Sequence, residues 1–142
     1  MTKVERRVYI NDDDFYNVLK NLQSEPLFKK LELTELFAIA IIYGKKNKIR
    51  TPLIGKKTGR IKEDTLSNSN LPYLMMAVAV EEAGSFEILA KEDDYFTICE
   101  EYAKTGLYAL EEDYNNNPKT LFNQIEVEAL RFFDSKIKED EE

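Results

Sequence analysis

The sequence predicts a mainly α protein: a single helical domain of about five helices, with a short N-terminal β-strand and room for a small β-hairpin. Three observations predict it. Apolar residues recur at spacings of three and four through most of the 142 positions. Period-two alternation is confined to the first ten residues. Most of the Pro, Gly and Asn residues that interrupt helices fall between the periodic stretches.

Residues 3–10 alternate, with Val4, Val8 and Ile10 on one face and Arg7 and Tyr9 on the other, as a short strand does. Asn11 then caps a helix whose first turn holds Asp12, Asp13 and Asp14, where negative charge suits the helix dipole. Phe15, Val18, Leu19 and Leu22 make its apolar stripe, and Ser24-Glu25-Pro26 ends it. A second helix starts near Thr34 and runs to Tyr43. Leu36, Phe37, Ile39, Ala40, Ile41 and Ile42 make it apolar on nearly all sides, so it should be the central buried helix, with Gly44 as its C-cap.

Thr51-Pro52, Gly55 and Gly59 make the next stretch a loop or hairpin, with Ile49, Leu53 and Ile54 available for one short strand. The SNSN run at 67–70 is a polar linker ending in an N-cap, with Pro72 opening a helix that carries Leu71, Leu74, Met75, Val78 and Ala79 and stops at Gly84. Phe86, Ile88 and Leu89 read as a brief extended piece. Asp93 or Asp94 caps a long helix reaching about Tyr114, with Gly106 as a candidate kink. Asn115-Asn116-Asn117-Pro118 stops it and opens a last helix with a stripe of Leu121, Phe122, Ile125, Ala129, Phe132 and Phe133. The domain is expected over residues 1–135, followed by a frayed acidic tail at 136–142.

Composition removes several function classes. With 43% hydrophobic residues the chain is no wholly disordered segment. It has no His and one Cys, so a Ser-His-Asp triad, a Cys-His pair or a Cys/His zinc site cannot be built from it alone. The longest apolar run, residues 36–43, is eight residues, against the roughly 20 that a membrane span needs. No apolar stretch follows the N-terminal arginines, so a secretory leader is not expected and a cytoplasmic location is. Cys99 lies in an apolar register beside Glu100 and Glu101, which suits a small buried hydrophobe and not an activated thiol.

Charge is segregated along the chain. Residues 1–43 carry six basic and seven acidic side chains. Residues 44–62, GKKNKIRTPLIGKKTGRIK, carry eight basic side chains and no acidic one. Residues 63–142 carry six basic and twenty acidic side chains, so the net charge of −7 hides a +8 segment beside a −14 half.

The basic segment is the first candidate site. Lys45, Lys46, Lys48, Arg50, Lys56, Lys57, Arg60 and Lys62 could neutralise DNA phosphates, and the glycines would let backbone amides approach closely. The alternatives to this first reading are an acidic protein surface, or a solvated loop paired with the acidic half of the same chain or of a partner subunit. GKKTGR lacks the spacing and the preceding strand of a nucleotide-binding P-loop. A strand with Arg7 and Tyr9 exposed, then two helices, is also the element order of ribbon-helix-helix dimers, although an ordinary edge strand is the commoner meaning. The acidic triplets at 12–14, 92–94 and 111–113 point around a helix and are better explained by capping and solubility than by a metal.

Several stretches together resemble one family. FAIAIIYGKKNKIRTPL, GRIKED, LPYLMMAVAVEEAGSFEIL and TICEEYAKTGLYAL, spread over residues 36–110, resemble the DNA phosphorothioation-associated protein 4 family, encoded beside bacterial and archaeal DNA sulfur-modification and restriction systems. The matching features are a G-x-x-x-x-x-R-T-P-L turn at 44–53, an acidic-Ala-Gly-x-x-E-I-L turn at 82–89 and E-E-Y-A-x-x-G-L at 100–107. The resemblance implies an accessory role in such a defence system and favours a basic loop facing DNA or a DNA-bound assembly. It transfers no catalytic residue. At the turn, Pro52 would fix the backbone, and Arg50 is a candidate anchor through bidentate pairing with a carboxylate. The expected function is therefore a non-enzymatic accessory protein that binds the DNA backbone and needs no cofactor or metal. The alternatives are a protein-protein adaptor among other proteins of the same system, or a ribbon-helix-helix-like regulator acting as a homodimer.

Overall fold

The computed structural model describes residues 6–10, 14–55 and 58–117, with Asn123, Glu126, Val127, Leu130 and Arg131 beyond them. Asn11, the last helix stripe, the tail, and Lys56 and Lys57 lie outside the described residues.

Strand β1, Val8–Tyr9, leads into α1, Asp14–Ser24, and α2, Leu33–Asn47. Strand β2, Gly59–Ile61, and the short α3, Glu63–Ser67, come next. Then follow α4, Leu71–Ala83, a 3-10 helix at Phe86–Ala90, and α5, Glu92–Asn116. Helices dominate, as the periodicity predicts, and the stripe Phe15, Val18, Leu19 and Leu22 of α1 is buried in full.

The centre of the fold is the crossing of α2 and α5, and its closeness comes from two glycines. A Cβ on Gly44 would lie 1.8 Å from the Tyr102 carbonyl oxygen, and one on Gly106 would lie 1.7 Å from that of Ala40. The two backbones therefore touch, which only a missing side chain permits. This corrects the expected C-cap at Gly44. The helix continues through it to Asn47, and Lys48, at φ 58, supplies the left-handed cap. Gly106, the candidate kink, lies within an α5 that runs unbroken from Glu92 to Asn116. Gly84 does cap α4 as expected, at φ 71 with its N–H bonded to the Val80 carbonyl at 2.8 Å.

Around this pair Leu36, Phe37, Ile41, Met75, Phe96, Leu107 and Leu110 are buried in one contiguous core. Phe28, in the turn after α1, is 1% exposed and meets Tyr114 with ring centroids 5.7 Å apart. Cys99 is fully buried, as expected, and its thiol donates to the Met75 carbonyl at 3.3 Å.

Three further expectations change. Ile49, Leu53 and Ile54 form no strand; the strand of the basic segment is β2, which pairs antiparallel with β1, Val8 opposite Ile61 and Tyr9 opposite Gly59 across an irregularity. A long-range pairing thus replaces the local hairpin, because Val8, Ile10 and Ile61 can then enter the core together. Residues 86–90 are 3-10 helical and not extended, with the Ser85 hydroxyl accepting from the Glu87 N–H at 3.1 Å. Helix α5 begins at Glu92, so the acids at 92–94 occupy its first turn with Lys91 at the cap position. Arg7, exposed just before β1, bonds Glu63 at 3.2 Å, and β1 serves a sheet within its own chain.

Candidate nucleic-acid interface

The basic segment begins inside α2. Lys45 and Lys46 occupy its last turn, where cations suit the dipole. Lys45 Nζ lies 3.3 Å from Glu82 Oε2 and 3.6 Å from Glu81 Oε1, on α4, and 5.2 Å from the centre of the Tyr102 ring. The chain then turns at Lys48 and lies along α5. Arg50 Nε donates to Glu101 Oε1 at 2.9 Å, Nη2 lies 2.8 Å from the same oxygen, and Nη1 is 3.7 Å from Glu82. The carboxylate anchor expected for Arg50 is therefore present.

The next two residues lock onto the same helix. Thr51 N–H donates to the Glu101 carbonyl at 3.2 Å, and its hydroxyl meets that of Thr105 at 2.6 Å. Lys104, 4% exposed, donates from Nζ to the Pro52 carbonyl at 3.2 Å. The R-T-P turn and the E-E-Y-A-K-T-G stretch are thus two halves of one latch, in which Glu101, Lys104 and Thr105 each hold a successive residue of 50–52. Sequence reasoning missed Lys104 and Thr105. Nothing local marks them, because their partners lie about 50 residues away.

Glu82 completes the latch, accepting from the Tyr102 hydroxyl. That hydrogen bond, with Lys45 and Arg50 nearby, holds the Glu82 carboxyl below the usual carboxylate range. Burial, and then the Glu82 carboxylate, push the Tyr102 phenol up to about 12. Burial also raises Tyr95 to about 12. Both phenols are held neutral in the fold at pH values where an unfolded tyrosine, near 10, already ionises. Their contribution is present below about pH 10 and is lost as pH rises towards 12. The urea midpoint is expected to fall steeply over that interval, and Tyr102→Phe should make the fall shallower; an unchanged slope in the variant would show that Tyr102 does not couple to folding.

Beyond Pro52 the segment runs back along α2. Arg60, Ile61 and Lys62 border a cavity of about 490 Å³ together with Glu32, Leu33 and Thr34, at the start of α2. The Arg60 guanidinium stacks 3.9 Å over the Tyr16 ring, and Lys62 is exposed at the N-cap of α3. The run of cations in sequence is therefore no single patch in space. One group, with Lys45, Lys46, Lys48 and Arg50, lies at the C-terminal end of α2, and another, with Arg60 and Lys62, at its N-terminal end. A 15-residue helix separates them by about 22 Å. Lys46, Lys48, Arg50 and Lys62 are exposed, while Lys45 and Arg60 are half-buried.

Of the acidic triplets, Asp93 pairs with Arg6 Nε at 2.9 Å, and among the described residues no group of three or more His, Cys, Asp or Glu side chains could hold a metal ion. Burial pushes the Cys99 thiol far above its ordinary range, leaving no thiolate for chemistry. No helix of the described residues is long and apolar enough to cross a membrane.

Fold and site together define a small helical protein that displays a basic segment latched to an acidic long helix. Its lineage agrees with the motifs that build the latch. The chain belongs to the DNA sulphur modification system-associated protein 4 family, whose model matches residues 7–142. Membership associates it, in an accessory role, with a DNA sulphur modification system. Neither the curated proteins nor the solved structures hold a significant match to the chain.

Proposed function

We propose that the chain is a non-enzymatic, cytoplasmic accessory protein of this system that binds the DNA backbone without much sequence preference. The observation that carries the reading is the pair of cation groups at the two ends of α2, with Lys46 and Lys48 exposed at one and Lys62 exposed at the other. The two groups stand about 22 Å apart, a span of some six base pairs of duplex at 3.4 Å each. Lys46, Lys48, Lys56, Lys57, Arg60 and Lys62 make the phosphate contacts. Lys45 and Arg50 act first as anchors, since Glu81, Glu82 and Glu101 already neutralise them.

Fluorescence anisotropy with a labelled duplex tests this at about 50 and 200 mM salt. With four or five phosphates neutralised, log affinity should fall with a slope of roughly −4 against log salt. Reversing the charges of Lys46, Lys48, Lys56 and Lys57 should abolish binding; unchanged affinity refutes the assignment. Sulfur-modified duplex then asks whether the mark is sensed.

A second reading, an adaptor between proteins of the same system, is favoured by Ile49 and Ile54, which are 60% and 69% exposed beside the cations. Mixed basic and apolar surface suits a protein partner better than phosphate. Co-purification from cells expressing the neighbouring genes separates the two, and recovery of the protein alone at low salt counts against the adaptor.

A further inference from the structure

Helix α4, LPYLMMAVAVEEA, is apolar on every side until Glu81, and α2 is nearly so. A helix apolar all round belongs in a buried environment. Yet part of each helix is left open along one shared groove. Ala38 and Ile42 of α2 face Leu74 and Ala77 of α4 across a cavity of about 660 Å³, with Tyr73, 49% exposed, as one wall. The helices run parallel beside it, since Glu32 and Glu35 lie with Ser69 and Asn70 at one end and Lys45 reaches Glu81 and Glu82 at the other.

We propose that this groove takes an amphipathic helix with a basic flank, supplied by a partner protein. The floor carries alanines on both helices, which lets a third helix approach closely. From Glu32 to Ile42 the groove spans about 15 Å, enough for three turns and anchors at i, i+3 or i+4, and i+7. Charge selects the occupant: the charged side chains lining the groove, Glu32 and Glu35, are both carboxylates and both exposed. A second copy pairing through the same face would bring its own Glu32 and Glu35 to that rim, whereas Lys or Arg flanking an apolar stripe would complement it. No residue of the groove belongs to the basic segment, although Glu32 and Thr34 also border the cavity of Arg60 and Lys62; Lys46 and Lys48, at the far end of α2, therefore separate this surface from the DNA reading.

The test uses a fluorescein-labelled 18-residue peptide with leucines at i, i+3, i+4 and i+7 and lysines elsewhere, beside a scrambled peptide of identical composition. The striped peptide should bind at least tenfold tighter than the scrambled one. Ala77→Arg, with its fold checked by circular dichroism, should remove that advantage, and Tyr73→Ser, at a half-exposed position, should weaken it several-fold if Ala77→Arg does not fold. Lys46→Glu with Lys48→Glu should leave it unchanged. Equal binding of the two peptides, or striped binding that survives the groove variants, overturns the proposal. So does sedimentation of the protein alone as a dimer that Ala77→Arg disperses, because a second copy would then be the occupant.

Discussion

Gly106→Ala should destabilise the protein by about 3 kcal/mol or more, with a fall of about 10 °C in Tm. The direction is the opposite of what helix propensity predicts, since Ala in an exposed helix interior gains up to about 1 kcal/mol over Gly. Here the added methyl would stand 1.7 Å from the Ala40 carbonyl oxygen and 2.6 Å from Gly44 N. Both are backbone atoms, and neither can swing aside as a side-chain tip could. The helices would have to separate by more than an ångström, opening the core they share. Gly44→Ala meets the Tyr102 carbonyl in the same way and should behave alike. Thermal unfolding followed by circular dichroism decides it, and a neutral or stabilising Gly106→Ala would show that α2 and α5 do not touch.

Arg6→Met should cost about 3–5 kcal/mol, because it strands a carboxylate in the core. Arg6 and Glu100 are 9% and 2% exposed and meet in a bidentate pair, with both Nη–Oε distances 3.1 Å. The guanidinium is further held 4.1 Å over the Tyr9 ring, and Glu100 also accepts the Tyr9 N–H at 2.6 Å. The pair ties the N-terminal strand to the middle of α5. Replacing both partners, Arg6→Met with Glu100→Leu, should recover much of the loss, short of the acceptor that Tyr9 N–H would still lack. Urea unfolding of the two single variants and the double one measures the coupling. Additive effects would mean that the two side chains do not interact.

Much of the helical framework was legible in the sequence. The α1 stripe, the buried α2, the Gly84 stop and the long α5 followed from apolar spacing and capping residues, which act within a turn or two of the chain. Val8 and Ile10 were readable for the same reason, through their alternation. Helix α3 was not, since five residues with one buried side chain, Leu66, leave no period to detect. The candidate site was legible as a charge pattern: eight cations without an acid mark residues 44–62 in any reading. Which of them are already neutralised was not, apart from the anchor suspected at Arg50, because Glu81, Glu82 and Glu101 lie some 35 to 50 residues further on.

The helical class, the charge segregation and the family follow from composition and short-range order. What the glycines and the buried charges do follows from packing between distant segments. Gly44 reads locally as a stop and Gly106 as a weak point, yet both exist to let two backbones touch. Arg6 and Glu100 carry no local mark of a pairing 94 residues apart, and they meet in the core. The physical reason is the same in each case. Helix propensity and capping are local energies, whereas close approach and ion pairing depend on which distant segments the hydrophobic core has brought together.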